Sequence, residues 1–254
     1  MVSIGVPHDF GSIDRVDWET DPTEKNFEWP WQLNRHAWML PLVVRAEAGD
    51  EAAGAALITL LRSWLRVPVP LEADGHASRA HRTIDTGIRM AGALPRALPW
   101  LLEHAPNDVL EELLCNLMTS QLRLRWNHRE GNWLTMEMNG LFASTFYLPF
   151  TENRDELRDY AAGLLLATIE EQVLPDGMQF ELSPSYHLLC VSQFQRAVQL
   201  ADRMGWEDER LGALRERCDW MTRAVAKLLQ SNGECAHPQD TGRVTLQALQ
   251  RLGT

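Results

Sequence analysis

Between Asn132 and His187 the sequence gathers amide, phenol, imidazole and guanidinium groups at positions that read as helix ends. Asn132 follows Gly131, and Tyr186 follows Ser183-Pro184-Ser185. An amide offers two N–H donors to an oxyanion. A phenol has a pKa of about 10, so it acts readily as an acid and as a base only beside cations that lower that value. Arg125, His128, Arg129 and His187 are the candidate cations, and a helix start adds positive potential that favours a phenolate. Gln179 and Glu181 flank the turn at Pro175-Asp176-Gly177, where they can hold hydroxyl groups. Arg82 and Arg89 are seven residues apart, hence on one helical face, and with Arg35 and His36 can line a groove for an anionic chain. Each residue also has a plainer reading. Asn132 can cap the helix that begins near Trp133. Tyr186 can be a core residue with its hydroxyl on backbone, His187 a satisfied helical histidine, His128 a solvated loop residue and Glu181 part of the next helix cap. The two arginines can simply pair with surplus carboxylates.

The elements that must position these groups are helical. Leu33, Ala37, Leu40, Val43 and Val44 recur at helical spacing from Trp31 to Gly49. Further helices are expected at about 52–65, 81–103, 107–118, 134–147, 153–174, 183–204, 207–230 and 243–252. Pro95 and Pro99 should break or kink the 81–103 helix. A loop at Glu72-Ala73-Asp74-Gly75-His76 and a basic loop carrying Arg123, Arg125, His128 and Arg129 lie between them. Ser183-Pro184 has the N-cap-then-Pro arrangement. There is no convincing run of alternating strands and no exact repeat. Helices joined by short turns stack as antiparallel hairpins, and an α/α toroid fits this pattern better than a standard solenoid. Residues 1–30 are irregular but carry Phe10, Trp18, Phe27 and Trp29, which argues for an extended arm packed on a body formed by residues 31–254. The end at Arg251-Leu252-Gly253-Thr254 suggests a truncated domain.

The chain has 254 residues, which permits one large domain or two small ones, and 45% hydrophobic with 23% charged residues is the composition of a soluble globular protein. Its net charge of −11 argues against general nucleic-acid binding, though an anionic ligand remains possible if basic groups share one cleft. No run of ~18 apolar residues suggests a membrane span, and no signal peptide is visible. The four cysteines, Cys115, Cys190, Cys218 and Cys235, lack metal-ligand spacing. Cys115 and Cys218 fall on apolar helical faces and read as buried free thiols.

Taken in order, Trp31-Gln32-Leu33-Asn34-Arg35-His36, Arg82-Thr83-Ile84-Asp85-Thr86-Gly87-Ile88-Arg89, Asn132-Trp133, Asn139-Gly140-Leu141, Leu174-Pro175-Asp176-Gly177 and Glu181-Leu182-Ser183-Pro184-Ser185-Tyr186-His187 resemble the N-terminal domain of the heparinase II/III family of polysaccharide lyases, which includes alginate and oligoalginate lyases. The resemblance implies an incomplete (α/α) toroid followed by a C-terminal β-sandwich that is absent from this chain, and with it a histidine that many members contribute. It implies β-elimination on a uronic-acid polysaccharide, with no metal and no organic cofactor, and an exported, periplasmic or secreted protein. Asn132 matches the residue that contacts the substrate carboxylate, and Tyr186 matches the catalytic tyrosine. Trp133, His128, Arg129, Gln179, Glu181, His187, Arg82 and Arg89 are the expected substrate-binding residues. Two other classes stay open. A toroid glycoside hydrolase needs two opposed carboxylic acids, and nothing in the sequence pairs Glu137 with Glu181 or Asp176. A non-catalytic polysaccharide-binding module needs neither.

Overall fold

The computed structural model describes residues 1–24, 27–70, 78–235 and 244–250. The chain opens with a small antiparallel hairpin, β1 (Val2–Ser3) and β2 (Val6–Pro7), and a 3₁₀ turn at Ile13–Arg15. Helices follow: α1 (Glu28–Asn34), α2 (Met39–Glu47), α3 (Glu51–Leu65), α4 (Thr83–Ala91), α5 (Ala93–His104), α6 (Asn107–Asn127), α7 (Asn132–Tyr147), α8 (Arg154–Gln172), α9 (Pro184–Arg203), α10 (Glu209–Ala226) and α11 (Leu246–Gln250). They form an incomplete α/α toroid, all-α apart from the small hairpin and isolated bridges among the described residues. One apolar core runs from Val16 to Met221, and a small second cluster joins Met178, Val225, Val244 and Leu249.

Helix α7 is the hub. Every residue from Thr135 to Thr145 is buried, and α4, α6, α8 and α9 pack around it. A helix with no solvated stripe belongs inside a bundle, and the lack of an amphipathic pattern in its sequence has this cause. It meets α4 backbone to backbone. A Cβ added at Gly87 would lie 2.7 Å from the Glu137 Cα, and one at Gly140 would press on Gly87 itself. Only two facing glycines permit that approach.

The sequence-based boundaries shift where the backbone breaks. The helix expected from Trp31 to Gly49 is two helices, because His36 adopts φ +61 between α1 and α2. The break expected at Pro95 or Pro99 falls at Gly92 instead. Pro95 then occupies the first turn of α5, where its missing N–H costs no hydrogen bond. Arg123 and Arg125 belong to α6 rather than to a loop, and Arg123 is buried. Cys115 is exposed, being two residues past Leu113 and off the buried stripe of Val109, Leu113 and Leu117; the other three cysteines are buried, and all four are free. The expected loop at 72–76 and the chain end at 251–254 lie outside the described residues, as does part of the expected last helix.

The N-terminal segment is packed on the helices. Trp18 and Trp29 are buried, and the Trp18 indole donates to Ser63 Oγ. The Glu19 carboxylate accepts hydrogen bonds from the Ser78 hydroxyl and from the backbone N–H groups of Arg79 and Ala80, just before α4. Phe27, by contrast, is half exposed.

Candidate active site

Helices α7 and α9 pack against each other and run parallel: Asn139 meets Gln193 midway, and the C-terminal ends carrying Phe146 and Tyr147 on α7 and Gln199 and Arg203 on α9 line one cavity. Their register is set where Asn139 Nδ2 donates to the carbonyl and the Oε1 of Gln193, at 2.8 and 2.9 Å. Asn132 lies seven residues before Asn139, and Tyr186 lies seven before Gln193. Seven residues are close to two full turns, about 10 Å of rise, so both side chains share the faces that meet at that contact. The starts of α7 and α9 therefore sit at one end of the toroid, with Asn132 and Tyr186 each on the face of its helix that meets the other helix at Asn139 and Gln193.

Local sequence explains each start. Gly131, at φ +69 and ψ −147, turns the chain into α7 without a side-chain cap. Asn132 is the first helical residue, so the capping role is not the one it plays. Ser183 caps α9 through its Oγ, which accepts from the Tyr186 N–H at 3.4 Å, and Pro184 takes the first helical position. Among the described residues neither the Asn132 amide nor the Tyr186 hydroxyl has a hydrogen-bond partner, and Tyr186 is 36% exposed. Two helix N-termini and an unengaged amide thus lie at the same end of the fold, and each favours an oxyanion.

The neighbouring polar residues are engaged in building the rim. The Gln179 N–H donates to His187 Nδ1 at 3.0 Å, so Nε2 carries the proton and donates to the Met221 carbonyl at 2.9 Å. His187 is fully buried, and desolvation holds its pKa below the usual histidine range. It is a neutral clamp between the turn and α10, and supplies no positive charge to Tyr186. Gln179, also buried, bonds Glu181 twice, through its side-chain amide to Glu181 Oε1 and through its oxygen to the Glu181 N–H. Gly177 at φ +89 fits against Trp220 and Ala224, where a side chain would collide.

Arg82 is buried at the start of α4. Its Nε and Nη2 donate to the two oxygens of the buried Asp85, which also accepts from Arg35 Nε at 2.7 Å. The Arg82 guanidinium lies 3.5 Å from the Trp31 ring centre and 5.0 Å from that of Trp133. Arg82 and Trp133 are brought together, then, with Arg82 held against α1 and α7. Arg89 departs from the expected groove. It is 1% exposed, and it donates to the carbonyls of Asn34 and Ala80, to His81 and to Thr86. Its place is inside the fold because α4 turns that face toward the α1 and α3 helices.

His128 faces Tyr160, with Nε2 2.6 Å from the phenol oxygen, and Arg125 stacks 3.6 Å from the Tyr160 ring centre. Tyr160 reads in sequence as one more apolar contact of α8, and only its partners reveal this pairing. Arg129, half-buried, donates its backbone N–H to Glu137 Oε2 at 2.7 Å. Glu137 is fully buried, and desolvation pushes its carboxyl above the usual range. Trp126 is 71% exposed beside Arg125, whereas Trp133, the tryptophan expected at the cleft, is half-buried.

The heparinase II/III N-terminus family model matches residues 5–233. A heparin-sulfate lyase of Bacteroides stercoris is 24% identical over 224 residues, which is 81% of this chain and 34% of that protein. A heparin-sulfate lyase of Pedobacter heparinus is 27% identical over 199 residues, 76% of this chain and 30% of that protein. The crystal structure of a heparan sulfate lyase from Pedobacter heparinus superposes with TM-score 0.72 at 23% identity, covering 93% of this chain and 37% of that one. A crystal structure of heparinase III gives TM-score 0.74 at 20% identity, with coverage of 93% and 37%. The chain thus spans about a third of the length of these curated relatives.

Proposed function

We infer the function from one premise: this chain belongs to the heparinase II/III family, whose N-terminal domain it contains. The whole protein is proposed to be a polysaccharide lyase that acts on heparan sulfate or a related uronic-acid glycosaminoglycan. The names of its relatives support that substrate class over alginate. An exported location is part of the same proposal; among the described residues no helix is long and apolar enough to cross a membrane.

The reaction is β-elimination. The C5 proton of a uronate lies next to a carboxylate and is weakly acidic. Its removal pushes charge onto the carboxylate, the C4–O bond breaks, a C4=C5 double bond forms, and the leaving oxygen takes up a proton. The Asn132 N–H groups donate to the carboxylate as charge builds there, aided by the positive ends of α7 and α9. The Tyr186 oxygen accepts the C5 proton as phenolate and returns it to the leaving oxygen as phenol. Trp133, His128, Arg129, Gln179 and Glu181 shape the rim. The observation that supports the reading is the pair of unengaged groups, Asn132 and Tyr186, at the starts of α7 and α9, amid polar neighbours that are already bonded.

A hydrolase is less well supported. Glu137 is buried, and the Asp176 carboxylate accepts from the Met178 N–H in its own turn. The test is to incubate the full-length gene product with heparan sulfate, hyaluronan, chondroitin and alginate while following ultraviolet absorbance of the new double bond. Absorbance that rises with heparan sulfate and vanishes in Tyr186→Phe is the expected result. Reducing ends without absorbance would overturn the lyase reading.

A further inference from the structure

At the far ends of α7 and α9 lies a second cavity, of about 770 Å³, between those helices and the α4–α5 junction. Arg96, Arg196 and Arg203 line it together with Phe146, Tyr147 and Gln199, and no aspartate or glutamate does. In a chain with net charge −11, a pocket with three arginines and no carboxylate is a local reversal of sign. The three arginines are not equivalent. Arg96 is paired with the Glu47 carboxylate through both terminal nitrogens. Arg203 is exposed and bonds the Gln199 carbonyl of its own helix. Arg196 is half-buried, and among the described residues it makes no hydrogen bond and no ion pair. Burial lowers its pKa, with no carboxylate to offset it.

A half-buried guanidinium gives up hydration without receiving an acceptor, which is unfavourable unless a ligand supplies one. Its fork geometry matches sulfate, phosphate or carboxylate oxygens. Arg203 lies seven residues on, on the same face of α9, and gives a second charge. The volume suits a ligand of one or two rings. Arg196 is ten residues past Tyr186, about 15 Å along the helix, so the pocket is separate from the candidate active site.

We propose that this cavity is a second binding site, for a small oxyanion-bearing sugar held chiefly by Arg196. The anion preference stands on the cavity alone. The sugar part of the assignment rests on the lyase reading.

The experiment is calorimetric titration of the full-length gene product carrying Asn132→Ala and Tyr186→Phe, which removes the proposed catalytic groups. The probes are inorganic sulfate, a sulfated uronate disaccharide and an uncharged disaccharide. Both anions should bind and compete with each other, and the uncharged disaccharide should not bind. Adding Arg196→Gln should weaken binding roughly tenfold or more, and Arg203→Ala should weaken it less. Binding unaffected by either arginine change would overturn the proposal, and so would equal binding of the uncharged sugar. Absence of anion binding, as when an acidic side chain of the full-length product fills the pocket, would overturn it too. Sulfate binding at Arg196, with the unsubstituted full-length product showing no elimination activity on any uronate polymer, would sink the lyase reading while leaving the anion site standing.

Discussion

The two ends of the α7–α9 pair solve opposite problems with the same helices. At their starts, bonded neighbours surround two unengaged groups. His187, Gln179 and Glu181 hold the turn before α9, and Arg82, Asp85 and Arg35 hold the entry to α4. At the other end of α9 lies a roomy cavity where the half-buried Arg196 has no partner among the described residues. The contrast teaches that polarity alone does not mark a functional residue in this fold. What distinguishes Asn132, Tyr186 and Arg196 from Arg89, Gln179 or His187 is that, among the described residues, their polar groups are left over after the fold is built.

The change with the largest expected effect removes both ends together. Gly87→Val or Gly140→Val puts side-chain carbon where the α4 and α7 backbones touch, and should cost about 4 kcal/mol or more, or prevent folding. Denaturant unfolding measures it, and a loss near 1 kcal/mol would mean that the crossing is not the hub described above. Next come changes at one end only. Tyr186→Phe and Asn132→Ala should each lower kcat/KM on heparan sulfate about 100-fold while leaving the melting temperature within a degree or two. A large loss of stability instead would make these residues structural, and erase their contrast with the rim.

His187→Ala should act the other way round. It strips an acceptor from the Gln179 N–H and a donor from the Met221 carbonyl, costing about 2 kcal/mol of stability, with turnover falling because the turn loosens. The most gradual effect is the response to pH. His36, His81 and His187 are held below the usual histidine range by burial, His81 down to about 3. Their folded pKa values lie under the unfolded ones, so stability is full above about pH 6.5 and declines as pH falls toward 3, by at most about 1.4 kcal/mol per unit for each histidine. Unfolding titrations at pH 7.5, 6 and 5 test this, and a flat profile would show that acid reaches these rings without opening the fold.

Much of this was legible in the sequence because helical packing is periodic. The stripes through Leu57, Leu61 and Trp64, or Val191, Phe194 and Val198, announce their buried faces directly. Ser183-Pro184 marks its helix start to the residue. The ring arrangement came from resemblance, since no stripe says which hairpin closes on which. Helix breaks were harder: the His36 ring, at a left-handed backbone position, packs against Trp18 and Trp64, which lie far from it in sequence. Of the candidate site, Asn132 and Tyr186 were readable, but the fate of their neighbours was not. Arg89 and Arg82 have the same spacing whether they face solvent or a buried Asp85. Arg196 looks in sequence like any charged residue on an outer face, and only the unpaired surroundings of its guanidinium set it apart.

The Glu19 carboxylate, bonded to Ser78, Arg79 and Ala80, joins segments some sixty residues apart. Such a clasp bears on the order of assembly rather than on strength. Loop-closure entropy across that span must be met before the three hydrogen bonds form, so the clasp closes after the α3 and α4 helices exist. The N-terminal segment is then the last piece to settle and the first to lift, and amide exchange should be faster at Arg79 and Ala80 than along α7.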